Sequence, residues 1–246
     1  MRGQWHEALG TIPDHERAKE FFQRAIALDP GFAAPYSAMS QACFSDGGVY
    51  ATLSLPMAAE RSAEWAHRAT AIDPEIADAQ IVMAYAAMCA GHTDVAHDHL
   101  RLAQASSPNS PTLLACKGFV LVFSNHPVEA RQALTESLRL DPRGPNTPGT
   151  MQLIAISHYY QRDYVTAVEA ARHTVARFPK YHLTYRWLAA ALGQLGRTDE
   201  AQVALRTAIE LSPQSFEFYV CNRPPWHLPE NYEHMLDGLR KAGWQG

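Results

Sequence analysis

The densest set of side chains that could do chemistry is Gly91-His92-Thr93-Asp94-Val95-Ala96-His97-Asp98-His99. Imidazole and carboxylate are transition-metal ligands, so the run invites the reading of a metal-dependent enzyme built on His92 to His99. Its spacing works against that reading. His92 and His97 are five apart, His97 and His99 two apart, and Asp94 with His97 is the pair with an i, i+3 relation on a helix face. A solvated turn and helix start accounts for the run more simply. The sequence contains no H-E-x-x-H, no G-x-S-x-G and no G-x-x-x-x-G-K-[ST], so no nucleophile with an arranged base can be named. The expectation is a non-catalytic chain with no catalytic residue, no metal and no cofactor.

Twelve histidines are many for 246 residues, and protonating all of them would swing the formal charge from −4 to +8. A pH sensor is one reading; scattered surface histidines in a composition with four lysines (Lys19, Lys117, Lys180, Lys241) is the plainer one. The 21 basic and 25 acidic residues form no run of like charge, which argues against a nucleic-acid surface or a polybasic membrane anchor. Cys43, Cys89, Cys116 and Cys221 stand far apart with no C-x-x-C pair, the pattern of buried free thiols in a reducing compartment. The N-terminus Met1-Arg2-Gly3-Gln4-Trp5-His6-Glu7 has no apolar signal region, and nowhere do 18 apolar residues run together. A soluble, cytoplasmic protein is expected.

The elements that would position any site are helices. There are 39 alanines and 22 leucines against 11 valines and 8 isoleucines, and 47% hydrophobic content with 19% charged residues suffices for a buried core. Helix-like runs end at Pro30, Pro74, Pro108, Pro142, Pro179 and Pro213, spaced 44, 34, 34, 37 and 34 residues apart. Twelve residues before each proline stand Ala18, Ser62, Ala96, Ala130, Ala167 and Ala201; eight before stand Phe22, Ala66, Leu100, Leu134, Ala171 and Leu205. Five before come Ala25, Ala69, Ala103, Ser137, Thr174 and Ala208, so each unit presents one helix face in a single register. The helix before it repeats the pattern, with a large residue (Tyr36, Leu114, Met151, Tyr185) and then a small one (Ser40, Ala84, Gly118, Ala155, Ala189). Lys117 in an apolar slot, Gln80 in an aromatic one and Ser62 in a small one depart from the pattern, and the insertion at 47–56 leaves the second unit's register open.

Two helices per 34 residues closed by a proline resembles the tetratricopeptide repeat, most closely over Tyr181 to Ala201, and the resemblance covers about residues 2 to 213. It implies an all-α, right-handed α-α superhelix of about six helix-turn-helix repeats over 1–213. Residues 214–246 are expected to form an extended segment and a capping helix with Tyr232, Met235, Leu236 and Leu239 on one face. The resemblance also implies a concave groove lined by first helices. Its inward slots hold Ser37, Gln41 and Phe44; Ile81, Tyr85 and Met88; Ala115, Phe119, Val122 and Phe123; Gln152, Ile156, Tyr159 and Tyr160; and Arg186. Such an aromatic and apolar patch marks a recognition surface, although slots of this kind also serve packing between neighbouring first helices. The expected partner is a protein or peptide, or the chain's own segment around Trp226, since Arg223-Pro224-Pro225-Trp226 is extended and carries an anchor-type ring. The inward slots lack the Lys and Asn of repeats that clamp chaperone tails, and Asn109, Asn125, Asn146, Asn222 and Asn231 form no ladder in register.

Arg2-Gly3-Gln4-Trp5-His6, then Glu16 to Ala33, and the closing run Tyr232 to Gly243 resemble the C-terminal repeat region of bacterial class III adenylate/guanylate cyclases and of related winged-helix transcriptional regulators. That resemblance implies a signalling role as a regulatory or sensory module. It carries over no cyclase chemistry, because the metal-binding and nucleotide-recognising residues belong to a domain this chain does not contain. It also fits a first helix that begins at residue 1 with only about Arg2 to Leu9, from which more chain is expected upstream.

Overall fold

The computed structural model describes residues 2–7, 11–73 and 76–246, and the described residues form helices joined by short turns, with no strand. Ala8 and Leu9 of the expected first helix, and the repeat-closing Pro74, lie outside the described residues. Six helix pairs follow one another: α1 (Arg2–Glu7) with α2 (Ile12–Leu28), α3 (Ala33–Gly48) with α4 (Leu55–Ile72), and α5 (Ala77–Cys89) with α6 (Thr93–Ser106). Then come α7 (Pro111–Phe123) with α8 (Pro127–Leu140), α9 (Thr147–Tyr160) with α10 (Tyr164–Arg177), and α11 (Leu183–Gln194) with α12 (Thr198–Leu211). Two more helices close the chain, α13 (Pro213–Cys221) and α14 (Pro229–Lys241).

The second helix of each pair is amphipathic and half solvated, burying the face fixed by the proline register. Ala18, Ser62, Ala96, Ala130 and Ala201 have no exposed surface at all. Their smallness lets the paired helix come close, and Gly118 shows how close: a Cβ there would lie 2.3 Å from Leu134 Cδ2. Leu134 is itself fully buried, a placement that stabilises the fold by roughly 1.5–3 kcal/mol. The first helices of the later pairs, α3, α5, α7, α9 and α11, are buried on most sides, whereas in α1 the buried residue is Gly3. In α11 every residue from Leu183 to Gly193 except Tyr185 is buried, because its own partner, the next pair and the inside of the superhelix each take a face. The second helices end where the backbone N–H of Asp29, Asp141 or Ser212 donates to the carbonyl four residues back, and the proline that follows has no N–H to continue the ladder.

The irregular spacings are absorbed locally. The ten extra residues of the second unit lengthen α3 and α4 to 16 and 18 residues, where α5 and α6 have 13 and 14. Ser62 keeps the register and occupies its small slot, with its carbonyl and hydroxyl facing the Ser40 hydroxyl. The three extra residues before Pro179 lengthen the linker to 141–146, against 107–110 one repeat earlier, and add one residue to the following helix. Lys117, in an apolar slot of the repeat pattern, is exposed. Three cysteines are buried thiols; Cys221 departs from that expectation and is exposed.

Residues 214–246 share the apolar cluster of the repeats rather than forming one of their own. Phe216, Tyr219, Trp226, Tyr232, Met235, Leu236 and Leu239 belong to the same cluster as Leu113, Ile156 and Trp187. Helix α14 lies across α11 at two glycines: a Cβ at Gly193 would stand 2.1 Å from the Gly238 carbonyl. Tyr159 donates its hydroxyl to the His234 carbonyl at 2.8 Å, and Tyr232 donates to the Val220 carbonyl at 2.9 Å, tying both ends of the closing segment down.

Candidate functional site

Most of the inward slots line one partly open cavity of about 320 Å³. Gln41, Phe44, Ile81, Tyr85, Phe119, Phe123, Gln152, Ile156 and Arg186 line it, as do Ser37 and Ala115. Met88, Val122, Tyr159 and Tyr160, assigned to the groove from sequence, do not. They are buried in packing: Tyr159 and Tyr160 meet the Trp187 ring at 5.4 and 5.7 Å, and Tyr159 is covered by His234 at 4.8 Å.

Two features confine the space. Residues from the closing segment sit against the groove: the Trp226 ring lies 5.9 Å from Phe119, and His227 lies 4.7 Å from Phe123 and stacks on Trp187 at 6.1 Å. The second helix pair also meets the later part of the chain across the inside of the superhelix, at the starts of the fifth and sixth pairs and at α13. Tyr219 donates its hydroxyl to the Gly48 carbonyl, His182 donates Nε2–H to the Val49 carbonyl at 3.1 Å, and Gln41 donates to Asn146 Oδ1 at 3.2 Å. Tyr50, Tyr181, His182, Trp187, Tyr219 and His227 therefore belong to the lining. The repeat register could not find them, since they come from turns, from the far side of α11 and from beyond the last repeat.

Along the wall, Phe44, Tyr85 and Phe119 form a ladder of half-buried rings from α3, α5 and α7, with centroids 4.8 and 5.2 Å apart. The cavity's polar groups are sparse. Burial pushes His182 down to about 4, despite the Val49 carbonyl that favours its charged form. Burial, with Arg186 and Arg223 nearby, pushes His227 down to about 3. Both imidazoles are neutral at pH 7. Arg186 is 4% exposed, with its guanidinium carbon 4.0 Å from the Tyr219 ring centroid. Burial lowers its pKa only to about 10, so it remains a cation.

The run from His92 to His99 gathers no ligand set: His92 precedes α6 and is exposed, His99 pairs with Gln80 at 2.8 Å, and exposed Asp98 pairs with Arg101. Among the described residues, ligand atoms converge instead at His15, Glu16 and Asp46. Those groups are already satisfied by one another. His15 is fully buried, its Nδ1 2.9 Å from a Glu7 carboxylate oxygen and its Nε2 2.9 Å from Asp46 Oδ1, while Lys19 Nζ lies 3.1 Å from the same oxygen. Burial opposes charge on His15, but the two carboxylates outweigh it and raise the imidazolium to about 9. An ammonium and an imidazolium already occupy the space a metal would take, so this cluster is an ion network joining α1, α2 and α3. The expectation of scattered surface histidines is thus corrected at His15 and His227, which are buried.

Comparison with known proteins accords with this architecture. Residues 8–32 and 184–215 match the tetratricopeptide repeat family model. No curated protein matches the chain in sequence. Among solved structures, the APC/C hetero-tetramer Cut9-Hcn1 superposes with a TM-score of 0.66 over 93% of this chain and 40% of that one, at 14% identity. This chain therefore spans well under half the length of that relative. PilW, a type IV pilus biogenesis factor, superposes with a TM-score of 0.60 at 15% identity, over 85% of this chain and 89% of its own. Pseudomonas aeruginosa pilF gives 0.59 at 16% identity, over 87% and 88%. Among the described residues no helix is long and apolar enough to cross a membrane. The paired helices and the proline-closed register thus accord with the fold of these solved structures, an all-helical superhelix of helix-turn-helix repeats, and two segments of the chain match the tetratricopeptide repeat family model.

Proposed function

We propose that the chain is a non-catalytic interaction module that receives an apolar or aromatic anchor of a protein or peptide partner on the Phe44–Tyr85–Phe119 ladder. The observation that carries this reading is the ladder itself: three aromatic rings in contact, half-buried, on the wall of a cavity. Rings held this way offer large contact area at low entropic cost. Residues 223–227 act as an internal occupant of one end of the groove, with Trp226 against Phe119 and His227 against Phe123, which leaves the Phe44 and Tyr85 end of the ladder for the partner.

The test is selection from a displayed random-peptide library on the whole chain, followed by binding to Tyr85→Ala and Phe119→Ala variants. Enriched peptides should carry an apolar or aromatic anchor and lose at least tenfold in affinity on either variant. Absence of enrichment, or affinity for either variant unchanged from that of the unaltered chain, overturns the reading.

A second reading makes the repeats the regulatory region of a bacterial cyclase or winged-helix regulator, as the resemblance at 2–33 and 232–243 implies. The meeting of the second helix pair with α13 favours it, because an occupant of the cavity bears directly on the Tyr219–Gly48 contact. In that case the selected peptides should match segments of an adjoining catalytic or DNA-binding module, and peptides without such matches count against it.

A further inference from the structure

The inner end of the cavity holds a cation without an anion. Arg186 lines the space and, among the described residues, makes no hydrogen bond or ion pair; its Nε is buried with no partner. It has two ring faces instead, Tyr219 at 4.0 Å and Trp187 at 5.8 Å. Ring faces balance part of the charge but offer no acceptor to the five guanidinium N–H donors. Two more buried polar atoms on residues lining the same cavity lack partners, Ser37 Oγ and Trp187 Nε1. Buried polar groups in folded proteins are nearly always paired, and orphans gathered on one cavity point to something that enters it.

The acidic groups on the wall do not answer Arg186. Glu7 is committed to His15, and Asp78 sits in the first turn of α5 on an exposed position. The charge that fits is a single negative one. A phosphate carries about −1.5 to −2 at neutral pH and would be left partly unmatched, because His182 and His227 are neutral beside it. A carboxylate matches one guanidinium in both charge and fork geometry. The rest of the lining is apolar: Phe44, Ile81, Tyr85, Phe119 and Ile156. At about 320 Å³ the space lies at the small end of ligand sites, which run from roughly 300 to 1,000 Å³. A peptide end would bring backbone N–H and C=O groups into this lining, where few polar partners await them.

We propose that the cavity binds a small-molecule monocarboxylate with an aromatic or medium-length alkyl body, the carboxylate paired with Arg186 and the body against the ring-lined wall. This site goes beyond the docking of a partner on the ladder, and each stands or falls separately.

The experiment is calorimetric titration and thermal melting of the whole chain with 4-phenylbutyrate and octanoate, their uncharged amides, and short peptides with free or amidated C-termini. Both acids should raise the melting temperature, and each should bind at least tenfold tighter than its amide. In Arg186→Met the free protein should stay folded with unreduced stability, since an unpaired buried charge is removed, while the preference for acid over amide disappears. Ala115→Phe, which adds a ring at another lining position of the cavity and keeps Arg186, should abolish binding and carries the test if Arg186→Met does not fold. Equal binding of acids and amides to the unaltered chain, a preference for acid over amide retained in Arg186→Met, acid binding retained in Ala115→Phe, or a free peptide C-terminus binding more tightly than both small acids would each overturn the proposal. Selection of ladder-dependent peptides would be unaffected by any of these results.

Discussion

At the scale of single residues, the turns between paired helices show how a repeat tolerates change. Each of the last four such turns needs one residue in the left-handed region: Gly91 at φ 79°, Asn125 at 63°, Arg162 at 65° and Gly196 at 69°. Gly and Asn adopt that conformation readily, whereas a long side chain meets its own backbone. Arg162 is exposed and, among the described residues, makes no ion pair or hydrogen bond through its side chain that would compensate. Arg162→Gly should therefore stabilise the fold by about 0.5–1 kcal/mol, the left-handed strain relieved less the extra freedom Gly has when unfolded. The reciprocal change, Gly196→Ala, adds a Cβ with nothing within 4 Å, so any loss there is backbone strain alone and should be about 1 kcal/mol. Urea denaturation of both variants checks the pair, and a destabilised Arg162→Gly would contradict the strain argument.

Helices tell a complementary story at the crossing of α11 and α14. A Cβ at Gly238 would lie 2.6 Å from the Ala190 carbonyl and 2.7 Å from the Tyr159 hydroxyl. Alanine is the better helix former by about 1 kcal/mol, yet the added methyl forces two packed helices apart against backbone atoms. Gly238→Ala should cost a net of about 1–3 kcal/mol and open residues 222–228 to limited proteolysis; unchanged stability and protection would mean that the helices do not approach this closely. Much of the helical pattern was legible beforehand, because prolines and small residues recur at fixed offsets and each offset has one steric meaning. Ala96, Ala130 and Ala201 could be placed on sight. Gly193 and Gly238 could not, since one sits inside a repeat as ordinary punctuation and the other beyond the last proline, and only their juxtaposition gives them a role. The same limit applies to Tyr159 and Tyr160: the register gives the face they point from, while the closing segment that covers that face carries no repeat to align.

The whole molecule is held by contacts that no local pattern encodes. His182 reaches Val49 across 133 residues of sequence and Tyr219 reaches Gly48 across 171, so the inside of the superhelix becomes a lined cavity through closure rather than through any one repeat. Closure has an electrostatic consequence for the entire chain. His227, His182 and His234 are buried or half-buried, and burial first of all holds them down at about 3, 4 and 4 in the folded state. An unfolded chain takes up protons at these sites below about pH 6.5, the ordinary value, so their stabilisation is complete above that pH and is lost as pH falls toward 4. His15 acts in the opposite sense. Its folded value of about 9 means that its stabilisation is complete below pH 6.5 and is lost as pH rises through 9. The two effects should meet in a stability maximum near pH 6.5. On the acid side the slope should reach up to about 4 kcal/mol per pH unit if all three histidines respond, and on the alkaline side about 1.4 kcal/mol per unit from His15 alone. Denaturation free energies from pH 4.5 to 8 measure both limbs, below the range in which the buried thiols of Cys43, Cys89 and Cys116, raised by burial, add their own alkaline loss, and His15→Met should flatten the alkaline limb while leaving the acid one in place. A flat profile, or an alkaline limb that survives in His15→Met, would show that the buried histidines do not titrate as their surroundings require.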